Sequence, residues 1–508
     1  MGAPKLNVEK QLNSYKNPID ALEFYYTDEL VIGLCGQLGT DLKKVSEEIK
    51  QILVNDYGYV CEEIHLSDFL FNEEEPKPND DYERIKGGMD LGDIMRSKYG
   101  NNILASLAIT QILKDRAAET PIDDIDKQNF KSRRKCYIIN SLKHPDEFYS
   151  FYKTYGTSFY LIGVFSSEIK RRKNLQHLFS KKDHIYINDL LKRDNESNEP
   201  NGQKLRSVFI KSDYFIRYSS DKKLTDKLDR FISLIFDFGI NTPSNDENAM
   251  YQATAAATNS ACLSRQVGAC ITDENGIIVS TGWNDVPRYG GGVYLSTDKG
   301  DQRCFCRSWE KCTNSTRKTD MISKIINELK NIGVISGENS ESQSIVEKQV
   351  EGVLNKNGIK DLIEFGRSVH AEMHAIIIGS QQTGDKIIGG NLYCTTYPCH
   401  NCARHIIMAG IKNVYYIEPY PKSLCLELHK DAITENETEK NKVRILMYEG
   451  VAPKSYIKFY QFISDDRKIK VKGQAKMKLN PKHRVHLESI PEKEAHFFKS
   501  VKDILNFE

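Results

Sequence analysis

The chain has 508 residues, 39% hydrophobic and 28% charged, with 71 Lys and Arg against 70 Asp and Glu and a formal net charge of +1. This is the balance of a globular protein of two or three domains, and it excludes recognition of a polyanion or a membrane surface by bulk charge. No apolar run approaches the ~20 residues that span a bilayer, and the opening MGAPKLNVEKQLNSYK holds no hydrophobic signal segment, so a cytoplasmic protein without membrane contact is expected.

LVIGLCG (30–36) reads as a buried parallel strand entering a tight turn. The following QLGTDLKKVSEEIKQIL places Leu42, Val45, Ile49, Ile52 and Leu53 on one side of a helix. KCYIIN (135–140) and YLIGVF (160–165) are further strands, and helices between them predict a β/α alternation with a parallel sheet to about residue 240. Within this half, GLCGQLGTDLKK (33–44) has the outline of a phosphate-binding loop. Gly33, Gly36 and Gly39, followed by Thr40, expose backbone N–H groups at a helix start. The Walker lysine is absent. A motif begun at Gly36 requires Gly, Lys and Ser or Thr at 41–43, where the chain has Asp41, Leu42 and Lys43, and the frame ending at Gly39 continues with Thr40 and Asp41. Asp41 repels phosphate unless it caps the helix. The expectation is a nucleotide-binding loop that has lost catalysis.

FGINTPSNDENAM (238–250) is rich in turn residues and divides the chain into domains 1–240 and 241–508. A small-residue helix, MYQATAAATNSACLS, precedes two strands, QVGACITD and GIIVSTGWN, around the turn DENG. A polar helical insertion occupies about 297–366. Then come the strand NLYCTT (391–396), YPCHNC, a helix to about Ala409 and the strand NVYYIE (413–418). The tail 467–484 carries eight Lys and Arg in eighteen residues. It reads either as a stretch that neutralises phosphates or as an edge strand guarded by lysines.

Twelve cysteines scattered through a long chain without a secretory signal favour metal ligation over disulfides. SVHAEMHAII (368–377) and YPCHNC (397–402) supply the ligand types. Zinc takes nitrogen and thiolate ligands in a tetrahedron that keeps one position open when it is catalytic. His370, Cys399 and Cys402 supply three, with the two cysteines one helical turn apart and at a helix start that favours thiolates. Glu372, two residues from His370, remains free to take a proton from water and return it to a leaving group. The competing readings are a structural zinc, which has no use for Glu372, and an ordinary helix start.

H-A-E followed by P-C-H-N-C is the zinc-deaminase signature. With SRQVGACI (264–271), GWNDVP (282–287), HAEMHAI (370–376) and TTYPCHNCARHIIMAGIKNVYY (395–416), the chain resembles the deoxycytidylate deaminase branch. The resemblance implies a cytidine-deaminase-like α/β/α sandwich with one catalytic Zn2+, and a substrate contact by Asn284 with Trp283 beside it. Arg265 is a candidate for a phosphate, against a surface or interface role. Two departures stand out. His374 replaces the asparagine common after H-A-E-M, and the insertion carries Cys304, Cys306 and Cys312. With His374 these cysteines form a candidate set for a second, structural zinc, against a reading as reduced thiols.

HLSDFL (65–70) and YERIKGGMDLGDIMRSKYGNNILA (82–105) resemble nucleotide kinases. The first half is therefore expected to be a degenerate P-loop kinase-like parallel sheet with flanking helices, used for nucleotide sensing, oligomerisation or partner contact. Adding GGGVY (290–294), EPYPKSLCLELHKDAI (418–433) and GVAPKSY (450–456), the whole chain resembles bacterial anti-phage deoxycytidine nucleotide deaminases. That implies deamination of dCTP and dCMP to dUTP and dUMP in antiviral defence. The expected partners are deoxycytidine nucleotides, a nucleotide effector such as dTTP, an inhibitory small RNA or protein, and further copies of the chain. The rival readings are a polynucleotide cytidine deaminase and a non-catalytic, zinc-stabilised regulatory protein.

Overall fold

Strand β1 (Leu30–Gly36) is buried along its whole length, as its unbroken apolar sequence requires of a strand covered on both faces. It lies inside a six-stranded sheet of order β12-β5-β4-β1-β3-β2. It pairs in parallel with β3 (Lys135–Asn140) and β4 (Phe159–Phe165); β2 (Val60–His65) continues the parallel sheet beyond β3 and β5 (Tyr214–Arg217) beyond β4, and a short β12 (Gly450–Val451) pairs antiparallel with β5. The structure, a computed structural model, describes residues 25–71, 76–119, 132–179, 184–195, 202–218, 221–306, 312–335, 340–359, 362–461, 475–487 and 489–505. It divides into a first unit, Met1–Pro243 with Glu449–Glu508, and a second, Ser244–Tyr448.

In the first unit, α1 (Leu42–Tyr57) is capped by Asp41, whose side chain accepts from Lys44 N. Its buried face, including Val45, Ile49 and Leu53, packs with Ile162 and Tyr214 of the sheet and with Phe231 of α7 (Asp221–Ile235). Each such side chain contributes roughly 1.5–3 kcal/mol by leaving water. Helices α2 (Asp81–Tyr99), α3 (Ile103–Glu119), α4 (Pro145–Tyr155), α5 (Glu168–Leu178) and α6 (His184–Asn195) complete the β/α alternation. The chain leaves β1 for β2, returns to β3 beside β1, and crosses to β4 on its other side. The ends of β1 and β3 thus flank the kind of switch point where parallel sheets hold ligands.

The second domain does not extend to residue 508 as the sequence suggested, because the chain from Glu449 onward builds the first unit. Gly450 and Val451 pair with Phe215 and Tyr214, Phe459 enters the first unit's core, and α13 (Ser489–Leu505) buries Glu494 against Arg116 of α3. Of the basic tail, 467–474 lies outside the described residues. In the remainder Lys476 stands 2.9 Å from both Asp56 and Asp229, and Lys482 donates to the carbonyls of Phe459 and Gln461. These cations serve the unit's own acids and carbonyls, and residues 475–487 form no guarded edge strand, only an isolated bridge from His486 to Tyr26.

The second unit starts with α8 (Asn245–Ala257), earlier than its small-residue run suggested, because Ser244 and Glu247 form a capping box. Its sheet has the order β10-β11-β9-β8-β6-β7. The parallel strands are β8 (Asn391–Thr396), β9 (Asn413–Glu418), β10 (Ile433–Thr434) and β11 (Val443–Met447); β6 (Gly268–Thr272) and β7 (Ile278–Trp283) run antiparallel. Gly268 lies under α8 and Gly282 under α11 (Ala371–Thr383): a Cβ at Gly268 would stand 1.9 Å from Ala253 O, and one at Gly282 2.4 Å from Ala375 N. Because Ala269 pairs with Gly282, the two glycines face opposite sides of the sheet, so the helices sandwich it. The insertion forms α9 (Thr313–Asn331) and α10 (Ser340–Lys356), joined by a cluster that includes Ile322, Ile326, Val346 and Val350. Among the described residues no helix is long and apolar enough to cross a membrane.

Candidate active site

Two helix starts meet at one point. His370 occupies the N-cap position of α11, and Cys399 that of α12 (His400–Met408), immediately after β8. The intervening turn is fixed by Ser423 Oγ donating to Pro398 O at 2.7 Å and Tyr397 N donating to Glu418 O at 2.8 Å. His370 Nδ1 lies 3.3 Å from Cys399 Sγ and 3.3 Å from Cys402 Sγ. The tetrahedral bond lengths of zinc separate a nitrogen and a sulfur ligand by about 3.5 Å, so the three side chains fit that ion. Among the described residues they are the one group of three or more His, Cys, Asp and Glu gathered closely enough to hold a metal.

The electrostatics of the cluster are those of a thiolate and an imidazolium side by side, with burial holding the Cys402 thiol up. Hydrogen bonds from Cys402 first, and His370 after it, pull the Cys399 thiol down to about 4 against the effect of burial. His370 is pushed up to about 9, chiefly by Cys399. Glu372, in the first turn of α11, is 4% exposed, and burial raises its carboxyl above the usual range. Its neighbours include the thiols of Cys402 and of Cys394 near the end of β8. Cys394 escaped the sequence reading because nothing in NLYCTT shows that β8 carries that residue to the Glu372 carboxyl.

A cavity of about 380 Å3 opens on this cluster, lined by His370, Glu372 and Cys399 and also by Asn284 and Arg265. Asn284 is at the wall, with Oδ1 accepting from Val267 N at 2.7 Å and Nδ2 donating to Arg265 O at 2.8 Å. An amide has two donors and several lone pairs, so capacity remains for a ligand. Arg265 reaches Glu418 at 2.7 Å. Trp283 does not line the cavity. It packs edge-on against His374 at 4.8 Å between ring centroids.

The second-zinc set is not assembled. His374 is buried, and its Nδ1 lies 3.2 Å from Trp283 N and 3.0 Å from Trp283 O, a task an asparagine amide performs equally. Cys304 is buried, Cys306 exposed and Cys312 half-buried, and they do not gather with His374 into a metal-sized group. The helix turn carrying His374 faces β7, which commits its ring to the sheet.

In the first unit, Gly33 belongs to the strand and not to a loop. A Cβ there would meet Leu142, Leu161 and Phe159 at 3.0–3.1 Å. Gly36, Gly39 and Thr40 do line a cavity of about 610 Å3 at the ends of β1 and β3. Gly39 has φ +84°, and a Cβ would lie 2.7 Å from Arg171 O. The loop's Leu38 N donates to Asp194 at 2.6 Å, a fully buried carboxylate that also takes Lys143 Nζ at 2.6 Å.

Residues 243–418 match the family model described as the cytidine and deoxycytidylate deaminase zinc-binding region. The deoxycytidylate deaminase of Enterobacteria phage T4 is 31% identical over 171 residues, 34% of this chain and 76% of that protein. That of Enterobacteria phage T2 is 31% identical over 173 residues, 34% of this chain and 78% of that protein. A dCMP deaminase from the cyanophage S-TIM5, solved with dCMP and dUMP, aligns at 19% identity and a TM-score of 0.22, over 41% of this chain and 99% of that one. The second unit is a zinc-binding hydrolytic deaminase domain. The chain belongs to the deoxycytidylate deaminase family.

Proposed function

We propose that the chain hydrolyses the 4-amino group of deoxycytidine nucleotides, converting dCTP and dCMP to dUTP and dUMP with release of ammonia. The observation that carries the reading is the burial of Glu372 beside His370, Cys399 and Cys402 at the floor of one cavity. A metal site built only for folding has no use for that carboxyl. His370, Cys399 and Cys402 would hold the zinc, which when bound supplies a Lewis acid that makes water a usable nucleophile near pH 7. Glu372 takes one proton from the attacking water and delivers it to N3 of the ring, then takes the second from the resulting C4 hydroxyl and delivers it to the departing amino group. The C4–N bond breaks, C4 gains a carbonyl oxygen, and ammonia leaves. Asn284 orients the deoxyribose from the cavity wall, and the surrounding protein excludes bulk water.

On this reading the first unit is a kinase-like domain without phosphoryl transfer, whose cavity at the β1 loop takes a regulatory nucleotide such as dTTP. Activity released from such control depletes dCTP, a logic suited to defence against phage. The test offers purified protein dCTP, dCMP, CTP and a deoxycytidine oligomer and follows ammonia. Turnover of the free deoxynucleotides, slowed or released by dTTP, supports the reading. Turnover of the oligomer alone overturns it.

A further inference from the structure

Cys399 reaches the metal cluster on a chain with little rotation left. Its predecessor, Pro398, has φ fixed by the ring and carries no N–H, so the carbonyl is its one backbone handle. Ser423 takes that handle, Oγ donating to Pro398 O at 2.7 Å. One residue earlier, Tyr397 N donates to Glu418 O at 2.8 Å. On the other side, Cys399 O accepts from Ala403 N at 2.9 Å as α12 begins. Holding Pro398 O sets ψ of Pro398, the last soft torsion before Cys399. Cys399 makes no cap with its own side chain, so its sulfur is left for the cluster. His370 arrives differently: the residue before it is tethered backbone to backbone, Val369 N donating to Asp285 O at 2.9 Å. The tether on Pro398 is made by a side chain, and a substitution can remove it.

The Ser423 hydroxyl is itself aimed. Its oxygen accepts from the N–H of the fully buried Cys425 at 3.3 Å, which leaves its one proton for Pro398. Ser423 N donates to Tyr420 O at 3.0 Å. This closes a turn with Pro421 at its second position, where the fixed φ of proline favours turning. Tyr420 and Lys422 of the same turn line the cavity beside Cys399, and Ser423 stands outside that lining. One short turn thus walls the cavity and fixes the peptide in front of a metal ligand.

We propose that Ser423 is a positioning residue of the metal centre: its hydroxyl locks the Pro398–Cys399 peptide and so holds the Cys399 sulfur toward His370 and Cys402. This rests on the zinc-deaminase reading above. Partners of this kind, one step behind a metal ligand, govern how tightly the ion is gripped and how well it works. Loss of the hydroxyl should loosen zinc and slow the chemical step, with substrate binding close to that of the parent.

The test compares the full chain with Ser423→Thr, Ser423→Val and Ser423→Ala. The first two substitutions introduce side chains of the same shape that differ by the hydroxyl, so any damage from added bulk is common to both. Zinc affinity is read by competition with a chromogenic chelator, and kcat and KM are read on dCTP and dCMP at saturating zinc. Ser423→Val and Ser423→Ala should each weaken zinc binding about 10- to 100-fold and lower kcat with KM nearly unchanged. Ser423→Thr should recover most of both. Equal zinc affinity in Ser423→Thr and Ser423→Val, or parental affinity in Ser423→Ala, overturns the inference and leaves the deaminase reading standing. A parent that binds zinc but turns over neither nucleotide removes the deaminase reading, while the chelator comparison still decides the role of Ser423.

Discussion

The backbone N–H of Leu38 donates to Asp194 Oδ2 at 2.6 Å, and the other oxygen of that carboxylate receives Lys143 Nζ at 2.6 Å. In a working phosphate loop such a donor and such an ammonium face a nucleotide phosphate. Here an internal carboxylate holds both. The loop's backbone donor and the neighbouring ammonium are thus satisfied by an acid of the chain itself.

Asp194→Ala should therefore raise affinity for inorganic pyrophosphate and nucleoside triphosphates at the first unit about tenfold or more. It should also cost about 2 kcal/mol of stability, because Lys143 loses its carboxylate but keeps the Gly36 carbonyl and is partly solvated. Calorimetry and thermal unfolding read the two effects. Unchanged pyrophosphate affinity in the variant would show that Asp194 does not occupy the anion position.

Glu372→Gln should keep zinc and lower turnover by at least a hundredfold, the usual effect of a proton-transfer group. The carboxamide fills the same buried space but accepts no proton. Elemental analysis and ammonia release separate the two properties. Residual activity above a tenth of the parent would transfer the acid–base role to another residue.

One zinc per chain is the expected stoichiometry. Replacing Cys304, Cys306 and Cys312 together by serine should leave it unchanged, whereas Cys399→Ser should lose the ion. The three insertion cysteines do not meet His374, whose ring is held by the backbone of Trp283. For the same reason His374→Asn should retain most activity and stability, since an amide can donate to Trp283 O and accept from Trp283 N. Two bound zinc ions per chain, or loss of zinc in the triple serine variant, would contradict this arrangement.

The metal cluster was legible in the sequence because each ligand sits at a helix start, and helix starts are local features: His370 and Cys399 are N-cap residues written into H-A-E and P-C-H-N-C. Strands β1, β3, β4, β8 and β9 were legible for a similar reason, each being a short apolar run closed by turn residues. What escaped depended on distant partners. VCEEIH gave no sign of β2, an edge strand with half-exposed side chains. Asp194 lies 156 residues from the Leu38 it satisfies, and no local pattern marks it. The return of the C-terminus to the first unit was hidden because β12 is two residues long and its place is set by pairing with β5.

That return is secured by charge. Arg116, 3% exposed, makes two hydrogen bonds of 2.7 Å to Glu29 and two more, of 2.9 and 3.1 Å, to Glu494 in α13. Burial alone would raise the Glu29 carboxyl, but Arg116 and then Arg133 more than reverse it, leaving it below the ordinary value. A carboxyl whose folded pKa is depressed adds stability above its unfolded value, near about 4.3, and that stability is lost as pH falls through the folded pKa. Arg116→Met leaves two buried carboxylates short of a partner and should cost about 3–5 kcal/mol at pH 7. The gap between parent and variant should narrow as pH falls toward 4, because protonation of Glu29 relieves the variant's uncompensated charge. Thermal unfolding of both proteins from pH 7 to pH 4 decides the matter. A gap that stays constant over that range would mean that Arg116 acts there by packing and not by charge.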